Sequence, residues 1–144
     1  GIRQGCCGTL ENMRPHRGVL LDTHVLLWFL AGAPQVSARL IRVIDSGVAV
    51  FFSPLSIAEA ALKARLGKIT APPDLALRLH DLGFQELPLT SAPATAITRF
   101  PGLDHHDPFD RLLLAQALES SLWFETADKT ILALDLPEVR DAQA

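Results

Sequence analysis

The stretch GVLLDTHVLLWFLAG, residues 18–32, decides the fold: a short apolar run, one acid, then a helical pattern closed by glycine. Val19-Leu20-Leu21 reads as a buried strand ending at Asp22. Thr23 to Ala31 reads as the helix that follows, stopped by Gly32 and Pro34. The same unit recurs downstream. Val36 to Asp45 places Leu40, Ile41 and Ile44 at helical spacing, and Val48 to Phe52 is continuously apolar, as a parallel strand covered on both faces is. Ser53-Pro54 opens a helix carrying Ile57, Ala58, Ala61, Leu62 and Leu66, with Gly67 at its C-terminal cap. Beyond Pro72-Pro73, Asp74 to Leu82 forms a helix with Leu75, Leu79 and Leu82 on one side. Phe84 to Leu87 is a third strand, and Ala92 to Phe100 a helix ended by Pro101-Gly102. Asp107-Pro108 starts an apolar helix through Glu119. Leu122 to Phe124 is a fourth strand, Asp128 to Leu134 a short helix, and Val139 marks an edge strand.

Strands alternating with helices specify α/β: a three-layer α/β/α sandwich around a central, mainly parallel sheet. Right-handed crossovers then bring every strand's C-terminal end to one edge, where such sheets hold ligands. The chain has 144 residues, enough for one domain with its own core. Residues 18–144 read as that domain. Residues 1–17 read as an N-terminal extension, whose first dozen lack periodicity and are either added or upstream sequence. With 49% apolar and 20% charged residues the composition excludes a disordered chain. A net charge of −3 disfavours gripping long duplexes by bulk positive charge, although an acidic metal site lowers net charge by itself. The longest apolar run, Val25 to Ala33, falls far short of the roughly 18 residues of a membrane span. No secretory signal pattern is expected. The two cysteines, Cys6 and Cys7, are adjacent and cannot staple the fold, so a reduced, cytoplasmic protein is expected.

Five acids fall at strand-to-helix transitions or helix starts: Asp22, Glu59, Asp107, Asp110 and Asp128. A parallel sheet gathers them at one edge. Two carboxylates ~5 Å apart repel by about 3 kcal/mol at an effective dielectric near 20, so the group calls for a cation. Carboxylate oxygens without a cysteine or dense histidine set suit Mg²⁺ or Mn²⁺, and the implied chemistry is metal-assisted phosphodiester hydrolysis. Each acid has a structural alternative. Asp22, Asp107 and Asp128 are each well placed to cap a helix. Glu59 can join Ser56 in a capping box or pair with Lys63 four residues on. Asp110 suits the helix dipole, yet its helix is otherwise apolar. His105-His106 reads as a loop ordering the site entrance rather than a ligand set, and His24 as a solvated or packed imidazole. Trp28, Phe29, Trp123 and Phe124 read as core. Arg111 and Lys63 are candidate phosphate or RNA contacts, with plain solvation as the alternative.

LLDTHVLLW (20–28), SPLSIAEAALKARLGKI (53–69), HHDPFDRLLLAQA (105–117) and TADKTI (126–131) together resemble the PIN-domain ribonucleases, and most of all the VapC-type toxins of toxin–antitoxin pairs. The likeness runs from Gly18 to Leu134. It implies a PIN-like fold whose four catalytic, metal-holding acids fall on Asp22, Glu59, Asp110 and Asp128, with Asp107 as an accessory acid. Thr23 and Thr126 match accessory hydroxyl positions that help orient water or neighbouring acids. The resemblance further implies a Mg²⁺- or Mn²⁺-dependent endoribonuclease acting on tRNA, rRNA or mRNA, a homodimer, and neutralisation by a cognate VapB-like antitoxin.

Two other readings accommodate an acid after a strand. A phosphatase or phosphoryl-accepting α/β domain would use Asp22 as nucleophile, but the second acid such phosphatases place two residues on is here His24. A non-enzymatic α/β binding module would use the acids as helix caps and would bind no metal.

Overall fold

A computed structural model describes residues 18–144. The extension, Cys6 and Cys7 lie outside the described residues. The first strand, β1 (Gly18–Leu21), leads through Asp22 into α1 (Thr23–Leu30). Then come α2 (Ala38–Asp45), β2 (Ala49–Phe52), α3 (Pro54–Arg65) and α4 (Leu75–Asp81). The second half holds β3 (Gln85–Glu86), α5 (Ser91–Ala96), α6 (Pro108–Glu119), β4 (Trp123–Thr126), α7 (Lys129–Leu132) and β5 (Val139–Asp141).

All five strands are parallel, in the order β3-β2-β1-β4-β5. The most apolar strand is central: β1 pairs Val19 with Val50 on one side and with Trp123 on the other. Strand alternation divides the core between the two sheet faces. Val19, Leu21, Val50 and Phe52 pack with α1, α2 and α4, and Leu20, Phe51 and Phe124 pack with α5, α6 and α7. The result is the expected three-layer sandwich. Gly18 is required by close packing, because a Cβ there would collide with the Ala49 carbonyl oxygen of β2. Gly67 ends α3 at φ +73°, the left-handed conformation that lets the chain turn back. No helix among the described residues is long and apolar enough to cross a membrane.

Several expected boundaries move. The helix expected over 92–100 is α5 followed by two 3₁₀ turns, Ile97–Arg99 and Pro101–Leu103. Phe100 precedes a proline and sits at φ −115°, ψ 82°, outside the helical region. Leu82 closes α4 as its cap and is 49% exposed, so it does not share the buried side of Leu75 and Leu79. The strand expected to end at Phe124 continues through Glu125 and Thr126, both fully buried. Its polar residues stay inside because each finds a partner. Arg39 of α2 reaches both Glu125 carboxylate oxygens, at 2.7 and 3.0 Å, and also bonds the Asp141 and Ala144 carbonyls.

The chain leaves β1 toward β2 on one side and later returns to pair β4 on the other. The crevice beyond the C-terminal ends of β1 and β4 is therefore the topological switch point, where sheets of this kind take their ligands.

Candidate metal centre

The site is assembled from the segments that end at this crevice. Asp22 immediately follows β1 and is 4% exposed. Its Oδ1 accepts from the Thr23 amide (2.6 Å) and its Oδ2 from the Thr126 hydroxyl (2.5 Å). Thr126 in turn accepts from the Asp128 amide at 3.0 Å, so the end of β4 holds both acids in one hydrogen-bonded chain. Asp128 caps α7 through Oδ1, which accepts from the Ile131 amide at 3.0 Å, leaving Oδ2 facing the site. Asp110 comes from the first turn of α6. Asp22, Asp110 and Asp128 line a cavity of about 170 Å³ with His24, Trp28 and Ala127.

Glu59 does not line this cavity and is fully buried on α3. One oxygen accepts from the Thr23 hydroxyl at 2.6 Å and the other from Lys63 Nζ at 2.5 Å. The Thr23 hydroxyl has one proton, and with that proton given to Glu59, the Ser56 hydroxyl at 2.9 Å donates to Thr23. The α3 cap is Ser53, whose hydroxyl accepts from the Leu55 amide, so Ser56 and Glu59 form no capping box. Lys63 also reaches Asp107 at 3.0 Å. Burial alone would lower the Lys63 ammonium, but hydrogen bonds to Glu59 and Asp107 raise it. Lys63 is thus an internal counter-ion rather than a free RNA contact. Asp107 caps α6 through the Phe109 amide, and its carboxyl is lowered despite burial by Lys63 and that amide.

The remaining acids are not neutralised in this way. Burial, opposed by the Thr126 bond and aided by repulsion from Glu59, pushes Asp22 from 3.8 to about 6. Burial and then repulsion from Asp22, Glu59, Asp107 and Asp128 push Asp110 from 3.8 to about 8. Among the described residues, Asp110's side chain has one polar contact, His106 Nε2 at 3.3 Å. A carboxyl this strongly opposed by like charge marks a place where a divalent cation is favoured. The donor chemistry fits one: His106, Asp110 and Asp128 each offer an atom within 4.8 Å of the others.

His106 is the residue that sequence reasoning set aside. His105 is exposed, whereas His106 turns inward with Nε2 at 2.7 Å from Asp128 Oδ2. Its spacing of four residues from Asp110 was the available signal. Arg111 makes no ion pair among the described residues, and its Nε is buried without a hydrogen-bond partner. Trp28 forms part of the cavity wall, and Trp123 lies under the Arg140 guanidinium, 3.7 Å from the ring centroid.

The family model of the PIN domain matches residues 19–136, and the chain belongs to that family. No curated protein sequence matches it. The fold is similar to a toxin–antitoxin complex from Klebsiella pneumoniae, with a TM-score of 0.61 and 15% identity over 86% of this chain and 97% of that one. It is also similar to FitAcB from Neisseria gonorrhoeae, with a TM-score of 0.57 and 24% identity over 86% of this chain and 97% of that one. VapBC2 from Rickettsia felis, bound to a DNA fragment from its promoter, gives a TM-score of 0.59 and 12% identity over 85% and 95%.

Proposed function

We propose that residues 18–144 form a single catalytic domain, a metal-dependent endoribonuclease toxin that hydrolyses RNA phosphodiester bonds and is neutralised by a cognate antitoxin. The observation that carries this reading is the meeting of Asp22, Asp110 and Asp128 around one cavity, with Asp110 pushed up to about 8 by burial and its acidic neighbours. Toxin–antitoxin complexes among the similar structures support the antitoxin, and the resemblance to VapC-type toxins supports an RNA substrate, a homodimer and a cytoplasmic setting.

In this reading Asp22, Asp110 and Asp128 hold Mg²⁺ or Mn²⁺. When bound, such an ion activates water and stabilises charge on the phosphoryl oxygens. Thr23 and Thr126 fix the carboxylates so that little reorganisation accompanies the reaction. Glu59 does not line the cavity and contributes negative charge to it, its oxygens held by Thr23 and Lys63. Asp107 and Lys63 brace α3 against α6 at the rim.

RNA cleavage with Mn²⁺ by the wild type and by Asp22→Asn tests the proposal. The variant is expected to lose activity on the order of 100-fold or more. Equal cleavage by both, or none by the wild type, would refute it. The phosphatase reading is separated by beryllofluoride, which would be captured stoichiometrically on Asp22.

A further inference from the structure

Resting on the metal site proposed above, we infer that His106 Nε2 is itself a ligand, so that the centre is a mixed nitrogen–oxygen site selective for Mn²⁺ over Mg²⁺. The geometry begins with distance. Nε2 lies 2.7 Å from Asp128 Oδ2 and 3.3 Å from Asp110 Oδ2. Adjacent ligands of a six-coordinate ion with bonds near 2.1 Å lie about 3.0 Å apart, between those two separations. The imidazole nitrogen is thus spaced from each carboxylate oxygen much as neighbouring donors on one ion are, and the three residues each offer an atom within 4.8 Å of the others.

The loop that carries His106 is built to present it. Leu103 is fully buried, and its carbonyl accepts from the His106 amide at 2.9 Å. Directly after His106, Asp107 caps α6 and is tied to Lys63. The backbone on both sides of the ring is anchored, and the side chain is mostly buried, with 23% exposure. In the tautomer protonated on Nδ1, Nε2 carries the lone pair that a metal takes.

Selectivity follows from donor type. Mg²⁺ holds its water and prefers oxygen, whereas imidazole binds later divalent ions more readily, and Mn²⁺ accepts both donors. Removing His106 should therefore weaken Mn²⁺ more than Mg²⁺. A second imidazole, His24, borders the same cavity and is the internal rival.

Pulsed electron paramagnetic resonance on the Mn²⁺-loaded full chain reads ligand nitrogen directly. The wild type is expected to show ¹⁴N echo modulation from a coordinated imidazole, replaced by the ¹⁵N pattern when histidine is ¹⁵N-labelled. That labelling test needs no variant. His106→Gln should abolish the modulation and weaken Mn²⁺ at least tenfold in calorimetric titration, with a smaller change for Mg²⁺, while His24→Gln retains the modulation. Bound Mn²⁺ with no nitrogen modulation in the wild type would overturn the inference and leave the carboxylate site standing. So would modulation that survives His106→Gln and disappears in His24→Gln. Failure of the wild type to bind Mn²⁺ at all would overturn both this inference and the metal site on which it rests.

Discussion

Replacing Asp22 by Asn should make the metal-free protein more stable at pH 8 and less stable at pH 4. Asp22 is buried and rises from 3.8 to about 6, so the folded state holds its proton more tightly than the unfolded state does. Stability is then lost as pH climbs from 4 to 6, and the full cost of the folded carboxylate is present above that range. The difference of about two pH units, at 1.36 kcal/mol each, corresponds to ~3 kcal/mol at pH 8. Asparagine removes this cost and still accepts from the Thr23 amide, but it disturbs the bond from Thr126 for about 1 kcal/mol. The net gain of ~2 kcal/mol corresponds to roughly 7 °C for a chain of this size. At pH 4 the electrostatic benefit is small, and the variant should melt below the wild type. Thermal melts at both pH values, with and without Mn²⁺, read the result. The wild type should also gain stability from Mn²⁺ at pH 8, while Asp22→Asn gains little. Equal destabilisation at both pH values, with an unchanged response to Mn²⁺, would mean that Asp22 is only a helix cap and would refute the reasoning.

Metal binding should also release protons. With Asp110 pushed up to about 8, close to one proton leaves when a divalent ion binds at pH 7, and roughly 0.1 at pH 9. Calorimetry in buffers of different ionisation enthalpy measures this, and a pH-independent binding heat would count against the assignment of Asp110. Separately, Arg39→Met should destabilise the fold by about 3 kcal/mol, because it strands the buried Glu125 carboxylate. Chemical denaturation reads the loss, and the double change with Glu125→Leu should restore most of it.

The alternation of strand and helix was legible because each strand is short, apolar and followed by a helix start, as in GVLLDT and FFSP. The convergence of Asp22 and Asp128 was legible for the same reason: parallel topology fixes where a residue just after a strand must lie, whereas Asp110 stood out as an acid at the start of an otherwise apolar helix. Long-range polar pairing left no such trace. Arg39 and Glu125 are 86 residues apart, and nothing near either names its partner. Glu125 fell just beyond the strand expected over 122–124, and its burial within β4 came to light only in the structure. Lys63 was visible as a partner for Glu59, but its second bond to Asp107 depends on how α3 and α6 pack. His106 was hidden by its neighbour: two consecutive histidines look alike in sequence, and only the turn at Leu103 determines which one faces the acids.

The hydroxyl of Thr126 grips a carboxylate 104 positions earlier in the polypeptide. During synthesis the N-terminal portion emerges first, with Asp22 and Glu59 present and Thr126 and Asp128 not yet made. The cavity closes only after residue 128 has been added and has cleared the ribosome. Competence is thereby tied to synthesis past residue 128: a product stalled before Thr126 carries Asp22 and Asp110 but lacks the hydroxyl and the carboxylate that complete the cavity.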